Sequence, residues 1–319
     1  MARSRRSTRA VRLPLCHRLA LGRGACAIVA LFVLVTLAGC GTGANQASSR
    51  ARAAPNTTSS PSRRSYISFT SYPGWIQGRI PPSTFNFAPW TIVSDFGLWP
   101  ARTGGVAVGD MGSVSKIPAV VAAAHKAGEK VIMAVGEQGL GSVFAGAASP
   151  KHQARFITGI TNYIAKYHFD GVDIDWEEDV PQNEQDYVSL MKNLRATFDR
   201  EFPHPVFLSA DVDVGQVPPT IAAKIAPYVN TLNMETFQNN GVSSAVAYTK
   251  AGIPASKLLM GIGIAKGYYD TTEARVAVKV RYVQQHGLAG TILWQPGNLH
   301  SDRTDPRLTP LRQMIAASR

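Results

Sequence analysis

Between residues 169 and 179 the chain reads Phe-Asp-Gly-Val-Asp-Ile-Asp-Trp-Glu-Glu-Asp. In an extended strand, side chains alternate between the two faces, so Asp173, Asp175 and Glu177 share one face while Val172, Ile174 and Trp176 share the other. Three carboxyl groups side by side repel one another, and at least one of them is pushed toward a higher pKa. A carboxyl that keeps its proton near neutral pH is what acid catalysis of bond cleavage requires. A row of acids can also bind a hard cation or form the solvated face of an edge strand. Neither of those readings explains the strict every-second-residue spacing, whereas a proton donor with acidic neighbours does.

The elements needed to present this face are legible on both sides of it. Short apolar runs at 66–69, 91–96, 130–135, 171–176, 206–212, 231–234, 258–264 and 291–294 read as eight strands. Helical periodicity falls between them. Phe156, Ile160, Tyr163, Ile164 and Tyr167 lie on one face, as do Tyr187, Leu190, Met191, Leu194 and Phe198. An earlier helix from about Ser115 ends at Gly128, a residue suited to a left-handed C-terminal cap. Another, over roughly 272–285, is the one helix that fits between the last two strands. Alternating strands and helices imply a parallel sheet, and eight repeats over 65–319, close to the usual barrel length of about 250 residues, imply a closed (β/α)8 TIM barrel. An open doubly wound sheet would need a glycine-rich turn after its first strand, and Thr70-Ser71-Tyr72-Pro73-Gly74 is not one.

Asp170-Gly171-Val172-Asp173-Ile174-Asp175-Trp176-Glu177 resembles the fourth-strand signature of the family-18 glycoside hydrolases, which include chitinases and endo-β-N-acetylglucosaminidases. The helix around Tyr187–Arg195 is similar to that family as well. The resemblance implies retaining, substrate-assisted hydrolysis of β-1,4-linked N-acetylglucosamine glycans without a cofactor, in which the nucleophile is the substrate's own acetamide. It makes Glu177 the acid/base, Asp175 the group that orients the acetamide, and Asp173 a partner sharing a proton with Asp175. It matches Trp294 to a tryptophan flooring the sugar subsite and places Tyr66 and Phe96 either beside it or in the core. No small α+β domain fits between the last two strands, which implies a shallow groove.

The sequence also departs from that family. Aligning Asn230–Glu235 with the family's Met-x-Tyr-Asp pattern puts Met234 at a tyrosine whose hydroxyl holds the acetamide, and a thioether cannot donate that hydrogen bond. Glu235 then falls at the aspartate. Glu137 stands where a glycine is usual on the third strand, and Asp211 and Asp213 add acids on the fifth. Glu137, Met234, Glu235 and Asp213 are therefore candidate substrate-binding positions. Some family members bind sugar without cleaving it, and these typically lose the acid that Glu177 supplies here, so a carbohydrate-binding barrel is the competing function. Metal-dependent hydrolysis would want histidines near the carboxylates, and His125, His152, His168, His204, His286 and His300 show no ligand spacing. No metal site is expected.

Residues 1–39 read as an export signal, with Arg3, Arg5, Arg6, Arg9, Arg12, Arg18 and Arg23 preceding an apolar run at 27–37 that is too short to span a bilayer. Leu37-Ala38-Gly39-Cys40 resembles the lipobox of bacterial lipoproteins, which implies lipidation of Cys40 and attachment to a membrane facing the outside of the cell. Residues 40–64, rich in Ala, Ser, Thr, Pro and Arg, read as a flexible tether. Cys16 and Cys26 fall within the signal, which leaves no disulfide framework for the mature domain. The formal charge of +12 is carried by the N-terminal arginines, including Arg50, Arg52, Arg63 and Arg64 of the tether. Beyond Ser65 basic residues nearly balance the 21 acids, so a nucleic-acid partner is not expected.

Overall fold

The computed structural model describes residues 66–109, 114–264, 269, 271–296 and 305–319. The export signal, Cys40 and the tether lie outside the described residues. Chain order is β1 (Ile67–Pro73), β2 (Ile92–Pro100), β3 (Val106–Val108), α1 (Ile117–Lys126), β4 (Lys130–Gly136), α2 (Gly141–Ala148), α3 (Gln153–Tyr167), β5 (Gly171–Asp175), α4 (Glu184–Glu201), β6 (Phe207–Val212), α5 (Pro219–Ile225), β7 (Thr231–Met234), α6 (Val242–Lys250), β8 (Leu258–Gly263), α7 (Glu273–His286), β9 (Gly290–Trp294) and α8 (Thr309–Ser318). Strands β1, β2, β4, β5, β6, β7, β8 and β9 pair in parallel in that order, and β9 returns to β1. The result is the expected (β/α)8 barrel, and among the described residues α7 is the one helix between β8 and β9. One strand was not foreseen: β2 continues to Pro100 and pairs antiparallel with β3, so a short hairpin stands above the second strand.

Alternation along each strand divides the core in two. Val172, Ile174 and Trp176 join the layer between sheet and helices, together with Ile160 and Ile164 of α3 and Leu190, Met191 and Leu194 of α4. Trp176 stacks on Phe144 at 5.0 Å and meets Tyr187 edge-on at 5.5 Å, and its Nε1 donates to the Glu178 carbonyl at 2.6 Å. Inside the barrel, Phe69, Ile92, Ile132, Leu259 and Ile292 form a separate apolar plug. Helix ends follow from the chain's own residues: His168 caps α3 at φ 61°, and Thr272 accepts the Arg275 amide at the start of α7.

The first two residues of the acidic signature hold the strand in place. Asp170 accepts from the Val131 amide at 2.8 Å and from His125 Nε2 at 2.9 Å, which ties the start of β5 to β4 and α1. At Gly171 the backbone passes so close to β6 that an added Cβ would lie 2.1 Å from the Phe207 carbonyl oxygen. Backbone, not a flexible side chain, is in the way. Gly171→Ala is therefore expected to cost about 3 kcal/mol or more of stability, read as a lower urea midpoint with an unchanged slope.

Candidate active site

The C-terminal ends of the parallel strands open into a cleft of about 670 Å³. Its floor and walls carry Glu137, Asp175, Glu177, Asp211, Asp213 and Glu235, together with the aromatic rings of Trp75, Phe96, Phe237, Tyr269 and Trp294. Lysine, arginine and histidine do not contribute to its described lining. Catalytic sites of barrels of this kind lie at this end because the loops following the strands converge there.

The acids are stacked in depth. Asp173 is lowest, above the apolar plug, where it accepts from Ser209 Oγ at 2.5 Å and from Asn233 Nδ2 at 3.0 Å. Asn233 Nδ2 also donates to Asp211 Oδ1 at 2.9 Å, so one amide bridges carboxyls from β5 and β6. Asp175 comes next. Its Oδ1 is buried and has no hydrogen-bond partner among the described residues, although the residue is only 3% exposed. Carboxyl oxygens of Asp175, Asp211 and Glu235 lie within 4.8 Å of one another. Glu177, half-buried just past the end of β5, stands at the cleft surface.

Crowding and burial act in the same direction on these groups. Burial, followed by the charges of Glu178, Asp213 and Glu137, pushes Glu177 up to about 7 against a hydrogen bond from Gln216. Asp173 is raised to about 7 by burial, opposed by its bonds from Ser209 and Asn233. Asp175 is held well above the carboxylate range by burial and then by Glu177, Glu235 and Asp173. Burial first and neighbouring carboxylates second also raise Asp211 and Glu235. The oxygen set of Asp175, Asp211 and Glu235 is of the hard type that calcium or magnesium takes. The raised pKa values mean that protons compete with any cation for these oxygens.

Several residues singled out from the sequence meet in the cleft: Asp175, Glu177, Glu137, Asp213, Glu235, Phe96 and Trp294 all line it. Trp294 packs 5.0 Å from Phe96 and 5.9 Å from Trp75. Glu137 accepts from Trp99 Nε1 at 2.9 Å. Three residues do not belong to the lining: Asp173, buried beneath it, Tyr66 and Met234. Tyr66 precedes β1 at the opposite end of the barrel, where its hydroxyl bonds Thr291 Oγ1 at 2.6 Å; the cleft forms only where the strands finish. Met234 is fully buried in the layer beneath the helices. Alternation along β7 sends Thr231 and Asn233 inward, so Glu235 is the next residue to face the cleft. The expected match of Met234 with the family tyrosine is thus displaced by one residue, and a carboxyl occupies the place assigned to a thioether.

Trp75, Gln216, Phe237, Tyr269 and Gln295 line the cleft without having been anticipated. They sit on loops after the strands, where no periodicity marks an inward-facing position. Glu178 has a different role from its neighbour: its carboxylate accepts from the Gly139 amide at 2.7 Å and the Gly141 amide at 3.2 Å, fastening one rim loop to another.

The electrostatics carry a pH consequence. The ordinary values of Asp173 and Glu177 are 3.8 and 4.5, and both are raised to about 7 in the folded chain. Between those limits the folded state binds more protons than the unfolded state, so stability is greatest at the acid end and is lost as pH rises through the folded values. Urea midpoints are expected to fall from pH 5 to pH 8, and Glu235→Gln is expected to flatten that slope by removing one raised carboxyl that also repels Asp175.

Known proteins resemble this arrangement at several levels. The chain is 24% identical over 201 residues to the Drosophila melanogaster protein named Probable chitinase 2, covering 50% of this chain and 41% of the relative. It is 24% identical over 230 residues to a chitinase-like effector of Moniliophthora roreri, covering 60% of this chain and 56% of that one. The chain therefore spans about half the length of these relatives or less. Among solved structures, the Ostrinia furnacalis Group IV chitinase in complex with allosamidin superposes with a TM-score of 0.66 at 16% identity, over 79% of this chain and 99% of the other. A Cycas revoluta family-18 chitinase mutant bound to (GlcNAc)4 gives 0.65 at 17% identity, over 79% and 99%. At such identity these superpositions establish the barrel. Residues 66–275, which hold the whole acidic strand and seven of the eight barrel strands, match the family model described as Glycosyl hydrolases family 18, and the chain belongs to that family.

Proposed function

We propose that this protein cleaves β-1,4-linked glycans containing N-acetylglucosamine, with retention of configuration and with the substrate's acetamide as nucleophile. The observation that carries the reading is the pairing of Glu177 with Asp175: a carboxyl poised near neutrality at the cleft surface, two residues from a buried carboxyl whose Oδ1 has no hydrogen-bond donor among the described residues. Glu177 gives its proton to the glycosidic oxygen as the bond to the anomeric carbon breaks. The acetamide oxygen closes on that carbon and forms an oxazoline-type ring, while a carboxyl oxygen of Asp175 accepts the acetamide N–H and fixes its orientation. Glu177, now ionised, takes a proton from water as the water opens the ring, which restores both groups. Trp294, with Phe96 and Trp75 around it, offers an apolar face of the kind on which a sugar ring stacks.

That two structural neighbours carry allosamidin and (GlcNAc)4 supports this substrate class. Glu177, the residue whose absence would favour a sugar-binding barrel, is present. An exported, membrane-attached placement completes the proposal, since Leu37-Ala38-Gly39-Cys40 would put the barrel outside the cell on a lipid anchor, near polymeric glycan.

The central test is fluorophore release from N-acetylchitooligosaccharide conjugates and an N-glycan panel, comparing the wild-type protein with Glu177→Gln. Loss of the general acid is expected to lower kcat by about 10²- to 10⁴-fold with binding retained. Because Glu177 must be protonated to act, kcat/KM of the wild type is expected to fall as pH rises through about 7. Oligosaccharide binding without turnover in either protein would identify a non-catalytic barrel. For the anchor, labelled palmitate is expected to enter the full chain in a bacterial host and to be lost in Cys40→Ser; equal labelling of the two would remove the lipidation site.

A further inference from the structure

The cleft wall after β7 carries Glu235, Phe237, Gln238 and Asn239, all of them in the lining. Three consecutive carbonyl oxygens of this segment are taken by side chains spaced four apart on α7 and the residue pair leading into it. Lys279 Nζ donates to the Thr236 oxygen at 2.6 Å, Thr271 Oγ1 to the Phe237 oxygen at 3.3 Å, and Arg275 Nη1 to the Gln238 oxygen at 3.3 Å. Arg275 and Lys279, one turn apart, share a face of α7, and Thr271 lies just before the Thr272 cap of that helix, so the helix and the residue leading into it reach three successive peptides. Lys279 adds a fourth contact, to the Gly261 oxygen of β8 at 2.5 Å, and that same oxygen accepts from Thr236 Oγ1 at 3.2 Å.

Lys279 is fully buried, and among the described residues no carboxylate pairs with it. Burial, then the charge of Arg275, lowers its pKa to about 7. Burying an ammonium is costly unless strong acceptors replace water. Filling space alone would call for an apolar residue, as at Val276, Val280 and Val283 on the same helix. The two carbonyl oxygens account for a lysine here.

We infer that Thr271, Arg275 and Lys279 are positioning residues, a rail along α7 that fixes the backbone of residues 236–238 and so sets where Glu235 and Phe237 meet the sugar. No member of the rail lines the cleft, and each acts through the segment it grips. For its catalytic readout the inference rests on the proposed glycan hydrolysis; for its structural readout it does not.

The experiment uses Lys279→Met, which keeps the length of the chain and removes the donors, and Arg275→Met at a half-exposed position that spares the core. Amide hydrogen exchange without substrate is expected to speed up over 236–240 in both variants, with exchange at β5 unchanged. Lys279→Met is expected to lower kcat/KM about 10-fold. Combined with Phe237→Ala on the gripped segment its effect should be non-additive by about 3-fold or more, and combined with Trp75→Ala on the facing wall it should be additive. Unchanged exchange over 236–240 in both variants, or additivity with Phe237→Ala, would overturn the rail. Should Lys279→Met fail to fold, Arg275→Met with the same exchange and double-variant measurements decides the matter. A wild type that cleaves no glycan would sink the proposed function and leave the exchange result to judge the rail.

Discussion

Carboxyl groups from four strands or the loops directly after them, Glu137, Asp173, Asp175, Glu177, Asp211, Asp213 and Glu235, share the inside of one closed barrel. Most other features of the site follow from that crowding. Removing a carboxylate from water disfavours its charged form, and each charged neighbour disfavours it further. The group exposed to the cleft, Glu177, is raised to about 7 by this combination and so stays protonated where an unburied glutamate would have ionised. Burial and acidic neighbours are enough to keep a proton on Glu177 near neutral pH. The same repulsion weakens the fold as pH rises, so function and stability draw on one electrostatic source in opposite senses.

The barrel tolerates this arrangement because its interior is layered. The apolar plug of Phe69, Ile92, Ile132, Leu259 and Ile292 closes the lower end, and polar groups begin only above it. Asp173, deepest of the acids, receives donors from Ser209 and Asn233, and Asn233 serves Asp211 with the same amide. Asp175 Oδ1 receives none among the described residues. Outside the sheet, Phe144 and Tyr187 clamp Trp176, the residue that separates Asp175 from Glu177. Strand alternation thus assigns neighbouring residues of one short segment to chemistry and to packing by turns.

The wall after β7 is where this chain differs most from the pattern its signature suggests. Glu235 faces the cleft in a position where a neutral hydroxyl was the expected donor. A protonated carboxyl also donates a hydrogen bond, and burial with neighbouring acids drives Glu235 toward that protonated form. Its placement depends on the segment held by α7, and the local backbone geometry is therefore part of the site.

Sequence alone determined the barrel and the acidic strand, because both are periodic. Eight apolar runs alternating with amphipathic helices leave few ways to bury their faces, and every-second-residue acids on a strand can only point together. What periodicity does not encode was decided by tertiary structure. Tyr66 proved to sit at the far end of the barrel, since β1 runs from Ile67 to Pro73 and only its last residues reach the cleft. Glu235 took the inward place expected for Met234, which turned outward into the core, since a shift of one residue reverses the face of every side chain on a strand. Trp75, Phe237 and Tyr269 on loops, and Lys279 buried on a helix, acquired their partners from segments distant in the chain. Only folding brings those segments within hydrogen-bonding or stacking distance.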